Sequence, residues 1–380
     1  MKAAEVSRPE QRVELRGWQK IGIKGYGMPS NDYPQVVRDI VRGSSTATSC
    51  LGRYVDFLAG KGLDNVLLGD AVINPNGETW DGLLAAVAAD LATFNGFAVH
   101  VIYNALGEIT AIEPLHFEDC RLQETKENGK TYKIAMHPDW TERTTRNNKV
   151  VRVEAKNITW FDVFNPDPRV VRSQMINAGG IEKYNGQVLW VSAAGAFQYP
   201  IPIYDACITA ISTDEGVDNV LYRNARNNFM LAGAYVHKRG YNADGMDDDD
   251  EFSDTLFQFQ GDKNATAIMD ITAESLEDKP EFIKFRGENY DKEFTATEAE
   301  ITEKIYTAFK QEAWLCIRNG KVGFGGSVIA DAYNVYNTET DNARRLIERN
   351  LQRLFNVWVN RLAFDGNTKI KITPLRYVSI

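Results

Sequence analysis

The sequence predicts an α+β fold: an elongated subunit in which two long helices bracket a small α/β insert, with a β-rich region ahead of them and a further helix behind. Three observations predict it. Between residues 97 and 195, short runs of β-branched and aromatic residues alternate with turn signals, the pattern of antiparallel strands. Ile203 to Phe229 and 291–314 carry apolar residues at helical spacing and flank a mixed segment at 230–290. A third periodic stretch, 339–364, is the clearest, with Ile347, Leu351, Leu354, Phe355, Trp358 and Leu362 on one face.

Composition bounds the class. The chain has 380 residues, 43% hydrophobic and 25% charged, which is globular and long enough to bury a sizeable core. A net charge of −9 argues against a general nucleic-acid binder, which carries a basic excess. It is compatible with a protein that lets DNA pass without gripping it. Cys50, Cys120, Cys207 and Cys316 lie far apart with no CxxC pair, so zinc and a disulfide framework are not expected, and reduced thiols in a cytoplasmic setting are. Met1 to Gly17 has no apolar core of a secretory signal, and the longest clean apolar run, Leu83 to Ala89, is far short of a membrane span.

In chain order, 1–33 is polar with scattered Gly and Pro and reads as an arm. Val36, Val37, Ile40, Val41, Leu51, Val55 and Leu58 predict a helix over 34–59, interrupted in character by Ser44-Ser45-Thr46. Trp80, Leu83, Leu84, Val87, Leu91 and Phe94 predict a helix over 78–94, with Glu78 and Asp81 in its acid-favouring first turn and Gly96 just past its end. Strands follow at Phe97–Tyr103, Glu108–Ile112, Cys120–Glu124, Thr131–Met136, Val150–Glu154 and Val188–Val191. Asn128-Gly129 is a two-residue hairpin turn, since both positions tolerate positive φ, and Asn165-Pro166-Asp167-Pro168 is a break.

The helix from Ile203 to Phe229 has Ile208, Ile211, Leu221, Ala225 and Phe229 as its stripe, and would span roughly 40 Å. The insert offers strands at Ala232–His237 and Ala265–Ile271, a short helix between them, and an acidic run, Asp247, Asp248, Asp249, Asp250 and Glu251. A second long helix begins between Asp291 and Thr297, where Thr295 with Glu298 and Thr297 with Glu300 fit capping boxes. Residues 315–337, with Gly320, Gly323, Gly325 and Gly326, read as a long loop, and Thr368–Thr373 alternates like a strand.

This order of elements resembles the portal protein of tailed bacteriophages. Asn95-Gly96-Phe97-Ala98-Val99, the turn at Gly107 and Ile112-Glu113-Pro114-Leu115 resemble the family's paired strands ending in Pro-Leu. Tyr199-Pro200-Ile201-Pro202 resembles the segment that opens the family's first stem helix, without its usual Gly and Ser. Gly261-Asp262-Lys263-Asn264-Ala265 resembles the clip turn, and Asp291-Lys292-Glu293-Phe294 with Ile301 to Phe309 resembles the start of the second stem helix; Ala313-Trp314-Leu315-Cys316 stands where the family has another motif. The match covers roughly 80–360.

The resemblance implies a non-enzymatic ring, usually of twelve subunits, at one capsid vertex of the virion, assembled in the host cytoplasm. Double-stranded DNA is pumped through its bore during packaging and leaves by the same route. The implied partners are copies of itself, the major capsid protein, the terminase large subunit and a head–tail adaptor, with no membrane and no cofactor. By position, 1–33 would be an N-terminal arm, 34–202 wing, 203–229 and 291–314 stem, 230–290 clip, 315–337 tunnel loop, and 338–380 a C-terminal wing or crown helix with a short tail.

Candidate sites follow from this reading. In the tunnel loop, Arg318 and Lys321 are candidate phosphate contacts and Asn319 a neutral one. Asp247, Asp248, Asp249, Asp250 and Glu251 would sit in the clip and meet a basic surface on an adaptor or motor. Consecutive acids point in different directions and lack a His partner, so a solvated loop explains them better than a metal site. His100, His116, His137 and His237 are scattered, and Gly323-Phe324-Gly325-Gly326 lacks the Gly-Lys-Ser/Thr ending of a P-loop. Arg344, Arg345, Arg349 and Arg353 form a basic group that Glu339, Asp341 and Glu348 largely offset. The alternatives are a head–tail adaptor ring protein and a metal-dependent nuclease using the Asp247–Glu251 acids.

Overall fold

Ser44 splits the first helical stretch in two. In the computed structural model its backbone is extended (φ −99°, ψ 122°), and its hydroxyl accepts from Ala47 N at 3.0 Å. Helix α1 (Tyr33–Gly43) therefore stops, and α2 (Ser45–Ala59) starts with a side-chain cap, because a serine at this point gains more as an N-cap than as a helix interior residue. The structure describes residues 21–27, 31–124, 131–140, 143–144, 150–151, 153–226, 231–238, 267–273, 290–320 and 326–377. They divide into two units, Met1–Ile211 with Glu303–Ile380, and Ser212–Thr302.

In the first unit a short α3 (Val66–Gly69) precedes α4 (Trp80–Phe94). Thr79 caps α4 by accepting from Gly82 N at 3.2 Å. Trp80, Leu83, Leu84, Val87, Leu91 and Phe94 are all buried, as the period requires. The helix ends at Phe94 as expected, but its left-handed cap is Asn95 (φ 61°) rather than a glycine. Gly96 instead permits a close backbone approach. A Cβ there would stand 2.8 Å from Val191 O, so only glycine lets the strands close.

The β region is one sheet plus a small ribbon. The strands are β1 (Gly96–Tyr103), β2 (Ile109–Leu115), β3 (Cys120–Leu122), β4 (Lys133–Met136), β5 (Arg143–Thr144), β6 (Val150–Val151), β7 (Thr159–Val163) and, after helix α5 (Pro168–Ala178), β8 (Gln187–Ser192). The sheet order is β2-β1-β8-β7-β4-β3, with β5 and β6 paired separately. The expected antiparallel sheet is in fact mixed, because β7 and β8 run parallel (Asp162↔Gln187).

The cause lies in the segment read as a break. Asp167 accepts from Arg169 N at 2.9 Å and Pro168 occupies the first turn, so Asn165-Pro166-Asp167-Pro168 starts a helix. A helical crossover returns the chain to the same edge and makes the next strand parallel. Strand β7 lay outside the expected set, and Val153 and Glu154, expected as strand, are not. The Asn128-Gly129 turn lies outside the described residues.

Arg121 ties the N-terminal segment to this sheet. It is fully buried, and all five N–H groups find acceptors: Nε to Asn31 Oδ1 (2.9 Å), Nη1 to Glu118 O (2.7 Å) and Cys120 O (2.8 Å), Nη2 to Asn31 O (2.5 Å) and Gln35 Oε1 (3.3 Å). Its guanidinium also stacks near Tyr26 and Trp140.

Helix α6 (Ile208–Arg226) follows a single 3-10 turn at Asp205–Cys207, so it begins later than expected. The second unit pairs β9 (Leu231–Lys238) with β10 (Ala267–Ala273) in parallel, Ile268 opposite Gly233. The unit boundaries fall inside α6 and inside α7 (Tyr290–Ala308).

The expected loop over 315–337 is replaced by helix at both ends: α8 (Glu312–Arg318) and α9 (Gly326–Phe355). The glycines misled the reading. Gly320 does take a positive φ of 67°, but Gly326 opens the long helix. Helix α9 also ends earlier than the expected 364. The chain turns at Trp358, which packs 5.6 Å from Trp80 between ring centroids, and Leu362 is 83% exposed rather than buried. The tail makes no regular strand. Ile372 bridges Leu63, held by Asp64 N to Lys371 O (2.8 Å) and Thr373 N to Gly62 O (3.0 Å).

Candidate functional site

The candidate DNA-facing residues Arg318 and Asn319 lie in the first unit, beside a joint of four helices. Helix α7 closes with Lys310 in the left-handed region (φ 57°). Gln311 N reaches Tyr306 O (2.8 Å) and Lys310 N reaches Thr307 O (2.9 Å), the paired bonds of a Schellman cap. A lysine in that conformation costs roughly 1 kcal/mol. Its Nζ pairs with Glu339 of α9 at 3.2 Å, and the next residue is locked in place.

Gln311 is that lock. Its side chain is fully buried and fully used: Nε2 donates to Cys50 O (2.8 Å) and Tyr336 Oη (2.8 Å), while Oε1 accepts from Arg53 Nη1 (2.9 Å). Tyr336 Oη in turn donates to Phe309 O (3.2 Å), and burial pushes its phenol well above the usual range. Around it, Phe57 packs edge-on to Tyr336 (4.8 Å) and Trp314 edge-on to Tyr333 (5.3 Å), with Arg53 4.7 Å over Trp314. The joint therefore binds α2, α7, α8 and α9 together through one amide.

Arg318 ends α8, exposed, where a cation suits the helix C-terminus, and lies 5.9 Å over the Tyr306 ring. Asn319 follows, exposed, its N–H bonded to Leu315 O (2.9 Å). The structure brings these two together on a rigid mount. Lys321 and the acids Asp247, Asp248, Asp249, Asp250 and Glu251 lie outside the described residues.

Two of the histidines have structural partners. His100 Nε2 meets Asn185 O at 2.7 Å and its ring packs on Phe161; His137 Nδ1 accepts from Asp139 N at 3.0 Å. Among the described residues, no His, Cys, Asp and Glu side chains converge as a metal site, and no helix is long and apolar enough to cross a membrane.

The four-arginine group separates. Arg344 is buried, donating to Phe57 O (3.0 Å), Thr340 Oγ1 (2.8 Å) and Asn337 O (2.6 Å). Arg353 lies over Phe164 at 5.2 Å. Arg345 and Arg349 are exposed and line a groove of about 550 Å³ with Lys369 and Lys371 of the tail. Two of the acids expected to offset them are engaged elsewhere: Glu339 with Lys310, and Glu348, whose Oε1 accepts from Ile372 N at 2.8 Å. Sequence reasoning missed Gln311 and the tail lysines. The alternation Lys369-Ile370-Lys371-Ile372 did carry the signal for the latter, since it turns both lysines away from the buried isoleucines.

No family model and no curated protein matches the chain. A chain from the virion of a native gene transfer agent particle superposes with a TM-score of 0.50 at 13% identity, over 90% of this chain and 82% of that one. A chain from the neck of an empty gene transfer agent particle, solved with C6 symmetry, gives 0.51 at 12% identity, over 95% and 88%. This chain shares its fold with a component of that neck. The HK97-family phage portal protein from Corynebacterium diphtheriae is similar at a TM-score of 0.32 and 11% identity, over 71% and 75%.

Proposed function

We propose that this chain is a portal subunit. It forms a closed ring at a capsid vertex, contacts the major capsid protein, passes double-stranded DNA through its bore during packaging and release, and docks the terminase large subunit and a head–tail adaptor. It performs no catalytic step and needs no cofactor. The observation that carries this reading is the fold shared with a neck chain over 95% of the length, in the element order that the sequence resemblance implies.

Physical features support it. The C6 symmetry of the similar neck fits a cyclic homo-oligomer. Val66, Leu67 and Val72 are 68%, 79% and 53% exposed within one short segment, apolar surface that a neighbouring copy would cover. A net charge of −9 per subunit keeps DNA from sticking to the ring at long range. Arg318 and Asn319, on their fixed mount, then give local polar contact near the bore without a strong electrostatic trap.

Native mass spectrometry of the full chain at high concentration tests the assembly step. The reading expects one dominant closed oligomer near twelve copies, with Leu67→Asp shifting it toward smaller species. A chain that stays monomeric at high concentration and low salt overturns it; a monomer at low concentration does not, because ring closure follows mass action.

A further inference from the structure

The groove between α9 and the C-terminal tail points to a second nucleic-acid contact, separate from Arg318 and Asn319. We propose that Arg345, Arg349, Lys369 and Lys371 form a binding groove for the phosphodiester backbone of duplex DNA.

The cations form two facing rows. Arg345 and Arg349 are four residues apart on a helix and share a face; Lys369 and Lys371 are two apart on an extended segment and share a side. Arg345 pairs with Asp341 at 2.9 Å, while no ion pair involves Arg349, Lys369 or Lys371 among the described residues. Glu348 is the acid in the wall, and its Oε1 accepts from the tail backbone at 2.8 Å. Gln352 does the same for Ile370 N at 2.7 Å. These backbone bonds fix the tail against α9, and three of the four cations, Arg349, Lys369 and Lys371, stay outside any ion pair among the described residues.

The lining chooses the ligand class. Neutral polar groups, including Asn356 and Thr368, accompany the cations, which is the inventory of backbone contacts to DNA. The apolar side chain in the wall, Ile370, is 3% exposed, and no aromatic ring lines it. An acidic peptide would lack an apolar anchor there. A single strand would lack a stacking surface. A duplex backbone needs neither.

The test is fluorescence anisotropy of the full chain with a mixed-sequence duplex of about 20 base pairs, starting near 50 mM salt. The variant Arg349→Gln/Lys369→Gln/Lys371→Gln changes exposed side chains only, and circular dichroism checks its fold. The expected result is at least a tenfold loss of affinity and a salt slope smaller by about 2.7, three phosphate contacts at about 0.9 each. Lys369→Arg/Lys371→Arg should retain binding. An unchanged affinity and slope in the triple variant overturns the proposal, as does absence of wild-type binding at low salt. Polyglutamate competing as well as duplex would overturn it in favour of an acidic protein segment, and a single strand binding more tightly would overturn it in favour of stacking. Oligomeric state is read in parallel. A chain that binds duplex through this groove but never closes a ring sinks the portal reading and leaves the groove intact; a ring whose triple variant binds as before does the reverse.

Discussion

Arg344 and Arg349 lie five residues apart on α9, which turns them about 140° from each other around the helix axis. Arg344 is 4% exposed and spends its donors on Phe57 O, Thr340 Oγ1 and Asn337, so it fastens α9 to α2. Arg349 is exposed and faces the tail lysines across a groove. Burial makes the first charge a structural bolt whose field is met by neutral oxygens and, at 3.9 Å, by the Asp341 carboxylate. Exposure leaves the second available to an outside anion. A cluster of arginines in sequence is thus two objects in space, and charge counting alone does not separate them.

The comparison breaks most visibly at Arg344. Arg344→Ala removes the side-chain donor to the Phe57 carbonyl on α2 and the bonds to Thr340 Oγ1 and Asn337 on α9, and should cost about 3 kcal/mol in urea unfolding. A loss below about 0.5 kcal/mol would mean that the inward arginine is as dispensable as a surface one. Gln311→Ala comes next, at about 2 kcal/mol, because it removes the bonds to Cys50 O, Tyr336 Oη and Arg53 Nη1 from the same joint.

Asp90 extends the contrast to a half-buried acid. It accepts from Phe117 N at 3.3 Å, and burial pushes its carboxyl up to about 8; burial likewise raises Asp119 to about 6. The folded state therefore binds more protons than the unfolded chain above about pH 4. Stability is full below that point and falls as pH rises, with Asp119 contributing to about pH 6 and Asp90 to about pH 8. Asp90→Asn should flatten the upper part of this decline and gain about 1 kcal/mol or more at pH 8, read from thermal melts across pH. A wild-type profile that rises from pH 5 to 8 contradicts the burial. The smallest effect belongs to the outward arginine: Arg349→Ala should move stability by no more than about 0.5 kcal/mol.

Legibility followed the chemistry of each buried stripe. Helix α4 was plain in the sequence because its inward positions are Trp, Leu, Val and Phe. The N-terminal half of α9 was not, because its inward positions are Ala332, Tyr336, Thr340 and Arg344, small or polar groups satisfied by neighbours rather than by an apolar period. The mixed sheet was hidden for a related reason. Pro166 and Pro168 read as a stop, whereas Asp167 with Pro168 is a helix start. The two long helices around an insert could be placed in advance, whereas Arg318, expected in a long loop, closes helix α8. The mount beneath that helix end could not be placed, since it depends on Cys50, Arg53, Gln311 and Tyr336, which are far apart in the chain.

The portal reading is tested most directly by electron microscopy of the purified full chain. It predicts end-on views of closed rings of uniform copy number, with a central hole at least as wide as a DNA duplex. Closed rings without such a hole, or only monomers and open aggregates at high concentration and low salt, would contradict it.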